Sequence, residues 1–162
     1  MSRLEDQHPA YLDYLRNAFR QVALHQLLDL SFVEMGDGVV IVEMPVRPEA
    51  FNGSGNLHGG AIATLIDVAA GSCAARASGF DPMKESLVTA DLHVRYLGRP
   101  KGDVVRAEAR VMRAGRQLIV VEIRVLDTLD SVIAFADFAA MIVARREPLT
   151  REVESDPRSP DL

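Results

Sequence analysis

Two rhythms of apolar residues alternate along this chain. In the first segment Tyr11, Leu15, Ala18, Phe19, Val22 and Leu27 recur at helical spacing, and Pro9 suits a first turn, where its missing N–H is not needed. The spacing predicts an amphipathic helix from Pro9 to Leu28 that lies on other structure. Ser31 to Met35 and Val39 to Val46 then read as two strands joined at Gly36-Asp37-Gly38, a strong hairpin signal. A loop of Pro, Asn, Gly and Ser from Arg47 to Leu57 leads into Ala61 to Ser78, an alanine-rich helix that Gly79 is suited to end. Between His58 and Arg76 the only formally charged side chain is Asp67, and a helix this apolar is normally wrapped on most sides.

After Gly79 the period drops to two. Leu87 to Leu97, Asp103 to Met112, Gln117 to Leu126 and Val132 to Val143 alternate or run β-branched, and turns at 98–102, 113–116 and 127–131 separate them. Four long strands on short turns predict an antiparallel meander. The fold class expected is α+β: one antiparallel sheet of about six strands curled around one hydrophobic helix, with the N-terminal helix on its other face or its edge. Residues 1–146 form a single domain on this reading. From Glu147 the chain is polar, carries three prolines and is expected to be a disordered tail over 147–162.

Charge and cysteine content narrow the function. A formal net charge of −5 leaves no broad basic face for a nucleic acid. The single cysteine, Cys73, excludes an internal disulfide and reads as an inert core thiol. Met1 to Asp6 is acidic and holds no apolar run, so no signal peptide is expected. The longest apolar stretches are interrupted by Asp67 or by polar alternation, so no membrane span is expected either. A cytoplasmic protein is the expectation. His8, His25 and His93 stand singly, without metal-ligand spacing, and neither a metal nor another cofactor is expected.

The chemistry concentrates in Asn52-Gly53-Ser54-Gly55-Asn56-Leu57-His58-Gly59-Gly60 and the helix that follows. Glycines at a helix start leave its first N–H groups open to a ligand atom, and those donors with the helix dipole can stabilise a developing oxyanion. Asp67 strengthens the signal. An ionised carboxylate inside so apolar a helix needs either a partner, such as the Thr64 hydroxyl or an arginine, or a catalytic role as general base or nucleophile. His58 is read first as an anchor of the loop, with acid–base catalysis as its alternative. Arg99, Lys101, Arg113 and Arg116 gather at strand-turn ends, where solvated turns also place such residues.

The run from Asn52 through His58-Gly59-Gly60 to Asp67 resembles the signature of PaaI-like thioesterases, the phenylacetate-degradation branch of the hotdog superfamily. The resemblance extends from the Gly36-Asp37-Gly38 hairpin to about Val143 and takes in Asp91 to Tyr96, Pro100-Lys101-Gly102-Asp103 and Gly115-Arg116. It implies a hotdog-fold acyl-CoA thioesterase, a homodimer or a tetramer built as a dimer of dimers, with active sites at the subunit interface. On that resemblance Asp67 activates water or attacks the thioester, Gly59 supplies the oxyanion N–H beside Gly60, and Asn52 positions water or carbonyl. Thr89 falls where relatives often carry a serine that hydrogen-bonds the water. Arg113 and Arg116 are the choices for the CoA phosphates.

Two rival functions are also compatible with these residues. One is an acyl-thioester hydratase or dehydratase using His58 with Asp67, although the Asp-x4-His spacing typical of such enzymes is missing. The other is a non-catalytic acyl-CoA sensor or carrier, although the N-terminal helix has no helix-turn-helix partner.

Overall fold

A computed structural model describes residues 17, 19–36, 38–81 and 83–145. Pro9, Tyr11, Leu15 and Ala18 of the expected first helix, and the tail from 147 onward, lie outside the described residues. Within them the first helix is not continuous. The chain is helical at Asn17 and at 19–21, turns extended at Val22 (φ −75°, ψ 118°), and resumes as α1, Ala23–Leu27. Carbonyls released by the break find side-chain donors: His25 Nδ1 lies 2.9 Å from the Phe19 carbonyl, and Gln26 Nε2 donates to the Arg20 carbonyl at 2.7 Å. α1 itself buries nothing; Phe19, Leu28 and Leu30 are the buried anchors of this segment.

The strands are β1 (Ser31–Gly36), β2 (Val39–Pro45), β3 (Glu85–Tyr96), β4 (Val104–Ala114), β5 (Leu118–Asp127) and β6 (Val132–Ala144). A short 3-10 turn, Pro48–Ala50, and helix α2, Gly59–Ser78, lie between β2 and β3. All pairings are antiparallel, in the order β1-β2-β4-β5-β6-β3. The expected six-stranded sheet around one helix is therefore present, with one correction. Only β4, β5 and β6 form a meander, whereas β3 pairs with β6 at the far edge. Residues 97–103 carry the chain past two strand ends, and seven residues easily span the roughly 14 Å of three strand spacings.

α2 fills the hollow of the curled sheet and packs against β2 to β6. Ala61, Ile62, Leu65, Ile66, Ala69, Ala70, Cys73 and Ala74 form its buried face, opposed by Val40, Val42, Val105, Ile119, Val121, Ile123 and Phe138. The helix is long and apolar enough to cross a membrane by length and composition, and its buried face, 44% of the apolar window, accounts for part of that apolarity. Gly79 ends it in the left-handed conformation, φ 61°, which a side chain would resist. The sheet's outer face carries charge pairs such as Arg106–Glu108 and Arg95–Asp137. Of the two places expected for the N-terminal segment, the described part takes the edge, where Phe19 meets Phe32 of β1 at a ring-centroid distance of 4.2 Å.

Candidate active site

The loop before α2 is built around Asn52. Its carboxamide oxygen accepts from the N–H of Ser54 at 2.9 Å and of Asn56 at 3.1 Å, while its backbone N–H donates to the Asn56 carbonyl at 2.8 Å. This is the local turn that asparagine favours, and it leaves only the NH₂ group of Asn52 for a water or a substrate carbonyl. The loop is tied down where it meets the helix, since the His58 N–H donates to the Ala50 carbonyl at 2.8 Å.

His58 caps the helix. Its Nδ1 accepts from the Gly60 N–H at 2.8 Å, and the first intrahelical bond runs from the Ile62 N–H to the His58 carbonyl. The anchor reading of His58 thus has a geometric basis, and the cap explains one glycine that composition could not. A Cβ on Gly60 would lie 3.0 Å from His58 Nδ1, so a side chain there crowds the ring and asks it to give by a few tenths of an ångström. The N–H of Gly59 stands outside the helical ladder with no hydrogen-bond partner among the described residues.

Asp67 lies two turns further along the same helix, half-buried rather than enclosed. Its partner is neither of those expected. Thr64 turns back to its own helix, donating to the Gly60 carbonyl at 2.9 Å. No cation pairs with Asp67 among the described residues. Instead the Thr89 hydroxyl donates to Asp67 Oδ1 at 2.9 Å.

A β-bulge makes that contact possible. β3 shifts register between Thr89 and Asp91, with Ala90 as the extra residue, so Leu87 and Thr89 face the helix before it and Leu92, Val94 and Tyr96 after it. In strict alternation Thr89 and Tyr96 would point to opposite faces. With the bulge both reach α2, and the Tyr96 hydroxyl donates to the Gly59 carbonyl at 3.0 Å.

The remaining sequence candidates are not gathered into one cluster. Gly59 and Asp67 are eight residues apart on one helix, roughly 12 Å along the axis and about 80° around it. His58 and Asp67 are farther apart still, so the pair that a hydratase needs does not form within one chain. Arg113 follows a second bulge, between Val111 and Arg113, which sets it opposite Val120 on the outer face of the sheet. Arg116 is exposed in the β4–β5 turn. Register places that turn level with Thr89 through the row Thr89, Ala140, Ile119 and Ala114, about 14 Å away. Cys73 is buried, and desolvation pushes its thiol up to about 11, as suits an inert core residue. Among the described residues no three His, Cys, Asp or Glu side chains gather closely enough to hold a metal ion.

Comparison with known proteins places these features in a family. Residues 54–134 match the model of the thioesterase superfamily, half of the chain and the whole stretch from the glycine loop into β6. A candidate esterase of Halobacterium salinarum is 36% identical over 111 residues, 67% of this chain and 72% of that protein. Among solved structures, a mutant thioesterase of Pseudomonas aeruginosa superposes with a TM-score of 0.75 at 23% identity, covering 82% of this chain and 94% of the other. The Escherichia coli PaaI protein of the phenylacetic acid degradation operon gives 0.71 at 20% identity, covering 82% and 92%. These two share the fold, an antiparallel hotdog sheet around a central helix. The chain belongs to the thioesterase superfamily, and it is a thioester hydrolase of the hotdog fold.

Proposed function

We propose that this chain hydrolyses acyl-CoA thioesters at sites shared between two copies, each site taking Asp67 from one subunit and Gly59 from the other. The observation that carries the proposal is the state of Asp67: a half-buried carboxylate, oriented by the Thr89 hydroxyl, with no cation to neutralise it among the described residues. An oxyanion donor must come within about 3 Å of the oxygen it stabilises. Gly59 and Asp67 of one α2 are too far apart to act on one carbonyl, and a two-fold dimer brings in the second helix. The α2 face bearing Thr64, Asp67, Gly71 and Ala75 is only partly covered by the chain's own sheet, and its small residues suit close approach of a second helix. The assembly is a dimer or a dimer of dimers.

In the general-base form of the reaction Asp67 takes a proton from water and the oxygen adds to the thioester carbonyl. The carbonyl oxygen becomes an oxyanion that the Gly59 N–H stabilises, the C–S bond then breaks, and CoA leaves as the thiol after gaining a proton. In the nucleophilic form Asp67 itself adds to the carbonyl, the C–S bond breaks and CoA leaves, gaining a proton, and water then hydrolyses the mixed anhydride to free acid and the Asp67 carboxylate. Thr89 orients the carboxylate or its water in either form, and the free NH₂ of Asn52 donates to the water or the carbonyl. Arg113 and Arg116, both exposed, meet the CoA phosphates. The lone unpaired Cys73 suits a reducing cytoplasm.

A panel of short, medium, long and aryl acyl-CoAs, assayed by thiol release, tests the reading. Release of CoA with at least one panel member, abolished by Asp67→Asn, is the expected outcome. Tight binding of acyl-CoA without thiol release would make the protein a carrier instead.

A further inference from the structure

The Gly59–Gly60 peptide is held at both ends. Its carbonyl accepts from the Tyr96 hydroxyl at 3.0 Å, and its N–H donates to His58 Nδ1 at 2.8 Å. The preceding peptide is fixed as well, its carbonyl accepting from the Ile62 N–H at 3.1 Å. Both peptide planes flanking the Gly59 Cα are therefore anchored, and the one donor between them without a partner among the described residues is the Gly59 N–H. Glycine is otherwise the residue least able to hold a direction. The Tyr96 ring adds a wall, since its Cζ would lie 3.4 Å from a Cβ on Gly59, in ordinary contact.

We infer that Tyr96 is a positioning residue for the oxyanion donor: with His58 it clamps the Gly59–Gly60 peptide, and with the preceding peptide held by the Ile62 N–H this fixes the backbone on both sides of the Gly59 Cα, and so the direction of the Gly59 N–H, before substrate arrives. Preorganisation of this kind is what gives a hydrogen-bond donor catalytic value, because it need not reorient as charge develops. The inference rests on the proposed role of Gly59. The Tyr96 side chain has no other hydrogen bond among the described residues, and the residue is 53% exposed, so its ring contributes little to the core. A merely structural tyrosine in that setting would affect neither turnover nor the substrate carbonyl.

Tyr96→Phe keeps the ring and removes the hydroxyl. The expected result is a kcat about tenfold lower, the worth of one neutral hydrogen bond, with KM and Tm close to those of the parent. A spectroscopic readout separates this inference from the one beneath it. Hexanoyl-CoA and benzoyl-CoA, each labelled with ¹³C at the thioester carbonyl, are bound to the Asp67→Asn protein, and the carbonyl stretch is compared with that of the free thioester. A shift to lower frequency reports the oxyanion donor, and adding Tyr96→Phe should reduce it. Gly60→Ala, which crowds the His58 ring at the other end of the same peptide, should act in the same direction. The double variant should lose less than the product of the two, because both act on one peptide. A carbonyl shift unchanged by Tyr96→Phe, or a kcat that does not fall, overturns the clamp and leaves the role of Gly59 standing. No shift for either thioester with Tyr96 intact removes the role of Gly59 and the clamp with it.

Discussion

The Thr89 hydroxyl donates to Asp67 across 2.9 Å, joining the edge strand of the sheet to the one formally charged side chain between His58 and Arg76. The bond engages one carboxylate oxygen and leaves the other without a hydrogen bond among the described residues. A structural aspartate is usually saturated by its neighbours. This one is oriented and left able to accept a proton.

Asp67→Asn should therefore lower kcat by about 10²–10⁴-fold while the fold survives. The carboxamide is nearly the same size and can still accept from Thr89. Thiol release measured beside circular dichroism and Tm checks this, and near-normal turnover by the folded variant would falsify the catalytic assignment.

The hydroxyl of Thr89 should matter more than its methyl group. Thr89→Ser keeps the donor to Asp67 and should retain most activity. Thr89→Val keeps the shape and removes the donor, and kcat should fall about tenfold. Equal activity in the two variants would make the bond incidental.

Recognition of the CoA phosphates predicts a contrast between substrates. Arg116→Ala and Arg113→Ala should raise KM for an acyl-CoA by about tenfold and leave a truncated acyl-pantetheine thioester unaffected. Added salt should narrow the gap, because exposed charge pairs are screened. Equal losses on both substrates would return these residues to the role of solvated turn arginines.

Stability has a separate centre in Asp127. This buried carboxylate accepts from the N–H of Lys101 at 2.9 Å, Leu129 at 2.9 Å and Ser131 at 3.0 Å, tying the β3–β4 connection to the β5–β6 turn. The Lys101 N–H first, then those of Ser131 and Leu129, hold its carboxyl below the ordinary aspartate range against the opposing effect of burial. A lowered folded-state value means that its contribution is present in full above the unfolded-state value. That contribution declines as the pH falls below it and is lost once the pH passes the folded-state value. Asp127→Ala should lower Tm near neutrality, and the difference from the parent should shrink in acid. A Tm difference that stays constant down to the acid limit would contradict this.

Much of this architecture is legible in the sequence. Periodicity identifies all six strands and α2 to within two residues at most ends, because a half-buried strand and an enclosed helix leave distinct spacings. What alternation cannot show is where it is interrupted. The bulge at Ala90 turns Tyr96 toward the helix together with Thr89, and the bulge at Met112 turns Arg113 outward, each through one residue that leaves no compositional mark. The placement of β3 beyond β6 is equally hidden, since strand order depends on long-range pairing rather than on the turn that follows. The break at Val22 falls in a run whose apolar spacing is helical throughout, and backbone carbonyls captured by His25 and Gln26 side chains are not written in that spacing. Asp67 stands out in the sequence because it is a charge in an apolar run. Tyr96 does not, because a tyrosine at a strand end is ordinary.

Subunit complementation decides whether the site is shared between two helices. Asp67→Ala removes the acid and Gly59→Pro removes the N–H. Proline suits this first helical position, since His58 before it is extended at φ −69° and ψ 133° and the Gly59 N–H makes no helical bond. Each variant alone should be nearly inactive. Unfolded together and refolded as an equal mixture, they should regain roughly a quarter of the wild-type sites, because half of the dimers are mixed and each mixed dimer holds one intact site. No recovered activity, with both variants folded and exchange of subunits demonstrated, would contradict the shared site.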